Sequence, residues 1–510
     1  MDGFLKKMGL LDNILFGFQI ATLPGNLFLC FIGVLIGTLV GVLPGIGPVG
    51  AISLLLPATF YLDPTGAIIM LGGIYYGAQY GGSTTSILVN IPGESTSVVT
   101  CLDGYQMALK GRAGPALGMA AFGSFIGGTF SVIGLTLIAP PMAEIALKFG
   151  PPEYFGLMFL AMTVLVYLGR GSFVKSLTMA AFGLFLGWVG MDIISGTQRF
   201  TFGVMELMDG IGLVPALMGI FGIAEVLINT EKVFERSILR SRIKGLLPNV
   251  QDWKASIGPI VRGSFLGFFF GVLPGSGGIV STFTSYTLEK KLSKYPERFG
   301  TGVIEGVAGP ETANNAATGG AYIPLLTLGL PSNVSMAVLL GALMIYGVQP
   351  GPLLLEKNPT LFWGTITSLY IGNLMLLILN LPMIGMWVQI LKIPYPLLFP
   401  LIILFCFIGA YSLNNSLFEV GLMCGFGLLG YLLKKLEYEP APLVLGMVLG
   451  PLFENAFRQT LLLSRGNLSI LLTRPISAVF ALMACFLLIS PLFSFFKTRI
   501  RGKISNLEGD

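Results

Sequence analysis

The sequence predicts an all-α polytopic membrane protein made of two inverted-topology repeats with broken helices and re-entrant hairpins. Three observations carry this. Of 510 residues, 54% are hydrophobic and only 11% charged, against about 25% charged in an ordinary soluble domain; mean hydropathy is +0.82. Apolar runs such as 27–42, 116–138, 157–168 and 475–496 are long enough, alone or with their neighbours, to cross a hydrocarbon core of about 30 Å. Finally, Gly41-Val42-Leu43-Pro44-Gly45 recurs letter for letter as Gly271-Val272-Leu273-Pro274-Gly275. Proline lacks the amide donor and glycine weakens a helix, so each copy should break one. Broken backbone at membrane depth is tolerated only where protein or a water-filled cavity satisfies it. Paired breaks in two halves therefore point to a transport site.

In chain order, Lys6 and Lys7 precede a moderately apolar run to Ala21 that lacks a small-residue cleavage site. Residues 1–24 read as a retained interfacial or membrane helix. The first repeat is 25–229, with passes expected at 27–43, 48–60, 66–100, 115–139, 152–169, 172–191 and 207–229. The long third pass is expected to split at Gly81-Gly82 and Pro92-Gly93. The linker 230–255 carries Lys232, Arg236, Arg240, Arg242, Lys244 and Lys254 and reads as cytoplasmic. The second repeat, 256–470, gives 256–274, 277–288, 300–348 (again interrupted), 361–391, 395–411, 416–435 and 441–457. A helix at 475–496 and a basic tail make up 471–510.

An odd number of net passes per half turns the second half over, and loop charge agrees. Glu289–Arg298 holds Lys290, Lys291, Lys294 and Arg298 and reads as internal, whereas its counterpart Tyr61–Thr65 has one aspartate and no basic residue. The loop 101–114, with Lys110 and Arg112, also reads as internal; its counterpart around 349–360 has only Lys357. The basic tail Lys497–Lys503 is internal on the same count. Arg458, Arg465 and Arg474 fall on the external side, against the trend.

Composition excludes several functions. There is no histidine, which removes histidine metal ligation and acid–base catalysis. Cys30, Cys101, Cys406, Cys424 and Cys485 are scattered and read as small buried apolar residues. The net charge of +5 lies mostly in a few loops, so no nucleic-acid partner is implied.

Each half also holds polar stretches at membrane depth: 79–86 and 90–97, then 309–320 and 331–335. Hydroxyls and amides can bind a carboxylate without burying a permanent charge in the empty site. Breaks expose helix N-termini that attract anions, while unwound carbonyls offer oxygens to a small cation. The expected substrate contacts are Ser83, Thr84, Thr85, Asn90, Asn314, Asn315, Thr318, Pro331, Ser332 and Asn333. The expected cation contacts are Gly45, Gly47, Gly275, Ser276, Gly277 and Glu311. Small polar residues serve plain helix packing equally well, but the asparagines beside duplicated breaks favour a site. Glu94 and Glu311 adjoin these stretches and could bind a cation or proton, or cap a helix start. Glu225, Glu419 and Glu454 read as helix ends or scaffold pairs. Arg262 reads as an interfacial snorkelling residue rather than a substrate ligand.

Together, Gly41–Pro48, Tyr75–Ser97, Gly271–Gly278, Gly309–Gly320 and Gly329–Ser335 resemble the large membrane subunit (TctA family) of tripartite tricarboxylate transporters, over roughly residues 20–470. The resemblance implies a multi-pass subunit of the bacterial inner membrane, not an enzyme, set in the lipid bilayer. It would work with a small four-span membrane subunit and a periplasmic solute-binding protein. It would import citrate-like di- and tricarboxylates by cation symport, with Na+ as the coupling ion and no other cofactor or metal. An elevator-like motion follows by fold-level analogy alone. The competing expectations are an anion-conducting channel, a proton-coupled carrier for another small organic anion, and an intramembrane enzyme. Missing histidine and the lack of a nucleophile–base pair oppose the last. The choice of carboxylate, Na+ versus H+, and a homodimer are left open by the sequence.

Overall fold

The computed structural model describes residues 9–43, 45–168, 172–192, 194–231, 245–275, 277–391, 393 and 395–490. In chain order the longer helices are α1 (Leu10–Ala21), α2 (Pro24–Val42), α3 (Gly47–Thr59), α4 (Pro64–Val89), α5 (Val98–Leu109), α6 (Ala113–Ala146), α7 (Pro151–Leu168), α8 (Phe173–Gly187) and α9 (Leu213–Thr230). There follow α10 (Val250–Val272), α11 (Gly277–Leu292), α12 (Glu305–Gly320), α13 (Tyr322–Leu328), α14 (Val334–Ile345), α15 (Pro359–Asn380), α16 (Tyr395–Asn414), α17 (Leu417–Lys435), α18 (Ala441–Leu463) and α19 (Pro475–Ser490). Among the described residues, seven helices are long and apolar enough to cross a membrane. This is a helical, multi-pass membrane protein.

The chain divides into two compact units, residues 1–147 with 212–432 and residues 148–211 with 433–510. Each unit draws on both halves of the sequence. In the larger unit the centre is made by α4 and α12. Every residue from Thr65 to Val89 and from Gly306 to Gly320 is buried, although both stretches are rich in Gly, Ser, Thr and Asn. Asp63 caps α4 through the Gly66 amide at 2.9 Å, ahead of Pro64 at the first helical position.

Glycine brings each central helix against its neighbour. A Cβ on Gly33, Gly37 or Gly41 of α2 would lie 2.3, 2.4 or 2.4 Å from the carbonyl oxygens of Met70, Ile74 and Ala78 on α4. On α10, a Cβ on Gly263, Gly267 or Gly271 would lie 2.5, 2.2 or 2.4 Å from those of Gly309, Ala313 and Ala317 on α12. Backbones this close leave no layer of side chains between them, as in small-xxx-small membrane contacts.

Both Pro-Gly breaks separate helices, α2 from α3 and α10 from α11. Other expectations need correction. Helix α4 runs straight through Gly81-Gly82, because Gly81 faces the Thr38 carbonyl, where its Cβ would stand at 2.3 Å; the glycine serves packing and the break comes only at Asn90. The loop 101–114 is mostly helix α5, and Lys254 lies inside α10, which starts at Val250. The pass 361–391 divides at Leu381–Met383. Residues Lys232, Arg236, Arg240, Arg242 and Lys244 of the linker, and the basic tail, lie outside the described residues.

The smaller unit packs α7, α8, α18 and α19 with a two-residue antiparallel pairing, Gly190–Met191 on Gln198–Arg199, where the fold class expects only helix. This turn carries an ionic cluster. Asp192 binds Arg199 at 2.5 Å and Arg458 at 2.9 Å, and Glu454 binds the same two arginines at 2.8 and 2.9 Å. Arg474 binds Glu153 at 3.1 Å. Two of the arginines that run against the loop-charge trend are therefore neutralised, and Glu454 is a scaffold partner. The Ser195 hydroxyl and the Ile194 amide, then Arg458 and Arg199, hold the Asp192 carboxyl well below the usual carboxylate range.

Candidate functional site

The two long central helices end alike. Helix α4 stops at Asn90 in the left-handed conformation (φ 59), and the α12–α13 run stops at Gly329 (φ 69). An apolar residue and a proline follow each, Ile91-Pro92 and Leu330-Pro331. A polar side chain then starts the next helical turn: Glu94 accepts from the Thr96 amide at 2.8 Å, and Asn333 from the Met336 amide at 3.0 Å. Each tip packs on the Pro-Gly break of its own half. A Cβ on Gly93 would lie 2.1 Å from the Gly41 carbonyl, Thr85 donates to the Val42 carbonyl at 2.7 Å, and the Gly275 amide donates to the Ser332 carbonyl at 2.9 Å.

Between the assemblies lies a buried polar cluster organised on two carboxylates. Glu311, on α12, is 1% exposed. It accepts from Ser83 at 2.5 Å, from Ser124 at 3.5 Å and from Thr100. Glu94, at the first tip, is 7% exposed. It accepts from the Thr96 hydroxyl and from Asn314 at 3.4 Å. The Gln79 amide, turned to suit its neighbours, adds donors to both Glu94 oxygens at 3.2 Å. Gln79 and Ser83 are one turn apart on α4, and Glu311 and Asn314 one turn apart on α12. The carboxylates thus occupy adjacent turns of one network. Among the described residues no lysine or arginine forms an ion pair with either.

The sequence-derived residues distribute as follows. Ser83, Asn314 and Glu311 belong to the cluster. Thr84 lines a small cavity beside it. Thr318 donates to the Asn314 carbonyl at 2.9 Å, and Asn315 to the Glu311 carbonyl at 3.3 Å. Asn333 donates to the Tyr75 hydroxyl at 3.0 Å. Pro331 and Ser332 are buried at the second tip, where the Ser332 hydroxyl has no hydrogen-bond partner among the described residues. Thr85 fastens α4 to the first break. Asn90 is exposed. Gly45, Gly47, Gly275 and Gly277 all take positive φ (110, 66, 78 and 50) at the breaks, conformations that favour glycine. Ser276 lies outside the described residues.

The Arg262 side chain is 40% exposed and is paired within the protein. It grips Glu289 with two hydrogen bonds, at 2.8 and 2.5 Å. Sequence reasoning missed Thr100 and Ser124, single hydroxyls in apolar helices that look like packing residues until the fold aims them at Glu311. It also missed Asp103, whose buried carboxylate accepts from the amides of Gly300, Gly302 and Val303 at 3.0, 2.7 and 3.0 Å and from the Tyr286 hydroxyl at 2.9 Å. That residue ties α5 to the loop before α12.

The family model described as the tripartite tricarboxylate transporter TctA family matches residues 27–445. The chain belongs to the TctA family. The match runs from α2 into α18 and spans both tips and the whole carboxylate cluster. A TctA-family chain is a membrane transporter component of a tripartite system with associated subunits, in a family of transporter components rather than enzymes. Similar chains are known from Agrobacterium vitis. An uncharacterized 52.8 kDa protein in the TAR-I ttuC' 3'region is 52% identical over 471 residues, 92% of this chain and 94% of the relative. An uncharacterized protein in the TAR-II ttuC' 3'region is 53% identical over 212 residues, 42% of this chain and 88% of the relative. No solved structure matches.

Proposed function

We propose that this TctA-family subunit carries citrate-like di- and tricarboxylates inward across the bacterial inner membrane by cation symport. Na+ is the coupling ion, a periplasmic solute-binding protein delivers the substrate, and a small four-span subunit completes the complex. The observation that supports this reading is the pair Glu94 and Glu311, buried in one hydroxyl and amide network with no basic partner among the described residues. A carboxylate withdrawn from water needs a cation or a proton beside it, and an intramembrane acid is costly without function. Two such acids repel an anionic substrate until a cation arrives, so the cation binds first and coupling follows from electrostatics.

This divides the work differently from a single ring of anion ligands. Ser83 and Asn314 give their protons to Glu311 and Glu94 and belong to the cation side. The carboxylate substrate falls to the helix starts at the breaks, α3 after Gly47, α11 after Gly277 and α14 behind Ser332 and Asn333. A Cβ on Gly278, in the first turn of α11, would lie 3.0 Å from Asn314 and 2.7 Å from Thr96, which sets that helix start against the cluster. In this reading the halves are inverted repeats whose tips approach from opposite faces.

Uptake of a panel of labelled carboxylates into vesicles, with Na+ and pH gradients varied independently and the binding protein added, tests the proposal. A Na+ gradient should drive saturable, counterflow-competent uptake, and Glu94→Gln should reduce it to background while the subunit still inserts. Non-saturable flux would establish a channel instead, and normal uptake by Glu94→Gln would remove Glu94 from the mechanism.

A further inference from the structure

The cavity next to Glu311 has a composition that the substrate reading does not use. It is lined by Tyr80, Ser83, Thr84, Ser124 and Asn380 together with apolar residues of α6, and its free volume is about 10 Å3, room for one water-sized particle. The polar side chains that line it are four hydroxyls and one amide. Ser83 directs its proton to Glu311 at 2.5 Å, and Ser124 lies 3.5 Å from the same carboxylate oxygen. Tyr80 spends its proton on the Asn373 side-chain oxygen at 2.6 Å. A hydroxyl that donates to a fixed acceptor keeps its lone pairs for another ligand.

Asn380 supplies the independent sign. It is 5% exposed, its amide nitrogen donates one hydrogen bond to the Leu376 carbonyl at 2.9 Å, and its side-chain oxygen has no hydrogen-bond partner among the described residues. A buried acceptor left unpaired is costly and calls for a ligand.

Resting on the cation-coupled reading, the geometry points to this cavity as a Na+ site, formed by the oxygens of Ser83, Thr84, Ser124, Tyr80 and Asn380, with Glu311 one hydrogen bond behind as its counter-charge. Neutral oxygens around one carboxylate suit a monovalent hard cation. A divalent ion takes more carboxylates, and no group of three or more His, Cys, Asp or Glu is gathered anywhere among the described residues. Because Ser83 and Ser124 both donate toward Glu311, the negative charge polarises the two hydroxyls toward the ion. The ion is then neutralised without touching the acid, and it sits between α4, α6 and α15.

The purified chain in nanodiscs tests this through its thermal midpoint, titrated with NaCl against KCl, with choline chloride holding ionic strength constant. The midpoint should rise saturably with Na+ and not with K+. Asn380→Ala and Ser124→Ala should raise the half-saturating Na+ concentration at least about tenfold, as loss of a ligand at a metal site does. Glu311→Gln should remove the response, and Asn380→Asp, which keeps an oxygen, should retain it. Equal recovery of monodisperse protein, with the same midpoint in choline, controls for folding. An unchanged half-saturation in both Asn380→Ala and Ser124→Ala overturns the site. A wild-type chain blind to Na+ but driving carboxylate uptake on a proton gradient also overturns it, together with Na+ as the coupling ion, and leaves carboxylate import by cation symport standing. Saturable Na+ binding without carboxylate uptake by the assembled complex overturns the transport reading instead.

Discussion

Helix α2 sets Gly33, Gly37 and Gly41 on carbonyls of α4, and α10 sets Gly263, Gly267 and Gly271 on carbonyls of α12 at the same four-residue spacing. Both pairs lead into a Pro-Gly break, and both central helices end left-handed before a proline and a capping side chain. Past that shared backbone the two assemblies diverge. α4 returns glycine for glycine through Gly73, Gly77 and Gly81, whereas α12 presents Ala313 and Ala317. The first tip is capped by an acid, Glu94, and the second by an amide, Asn333. No charged residue occurs on α2 or α3, while α10 and α11 are braced by Arg262 and Glu289. The glycine packing is alike in the two assemblies, and the polar residues set on it differ.

Substitution within the glycine contacts should have the largest effect. Gly37→Val and Gly267→Val place a Cβ 2.4 and 2.2 Å from a backbone oxygen, so a helix must shift, at a cost well above the roughly 1–3 kcal/mol of ordinary overpacking. Neither variant should yield monodisperse protein on size exclusion. Survival of one alone would show that the two scaffolds are not mechanically equivalent.

The brace comes next. Arg262→Ala leaves the buried Glu289 carboxylate without its partner, and the thermal midpoint should fall by the equivalent of about 1–3 kcal/mol. That is below the range of a fully buried pair, because Arg262 is 40% exposed. The double substitution Arg262→Met with Glu289→Leu should recover most of the loss. If it recovers none, the pair is doing something other than bracing the second break.

The smallest effect is expected outside both assemblies, at Asp192. Its carboxyl is held below its ordinary value of 3.8, so the stability it lends is complete above that value and is lost as pH falls below it toward the folded value. Thermal midpoints taken from about pH 5 down to about pH 3 should fall less steeply in Asp192→Asn, which begins lower at neutral pH. Identical slopes would exclude Asp192 from the acid response.

Much of this architecture is legible in the sequence because lipid imposes it. Apolar length gives the helices, and the repeated Gly-Val-Leu-Pro-Gly gives both breaks at their observed places. Gly81-Gly82 misleads because glycine marks close approach as readily as it marks a break, and only the opposing Thr38 carbonyl tells them apart. The pairing of Arg262 is not legible because its partner, Glu289, lies on the far side of the break. For Glu94 and Glu311 the sequence offers a cap or a site, and in the fold Glu94 caps the next helical turn and also joins the buried cluster. Ser124, Thr100 and Asn380 carry no local signal, since one polar side chain in an apolar helix looks the same whether it packs or binds. Their part is visible only when α5, α6 and α15 converge on α4 and α12.

The glycine–carbonyl contacts also limit how the molecule can move. With each glycine keyed to one oxygen a turn apart, sliding α2 along α4 by a single residue would drive Val34 or Thr38 side chains into backbone. The pair cannot ratchet. Any rearrangement that exposes Glu94 and Glu311 in turn to the two sides of the membrane must carry α2, α4 and the Pro92-Gly93 tip as one piece, with the motion taken up at joints where side chains, rather than main chains, meet.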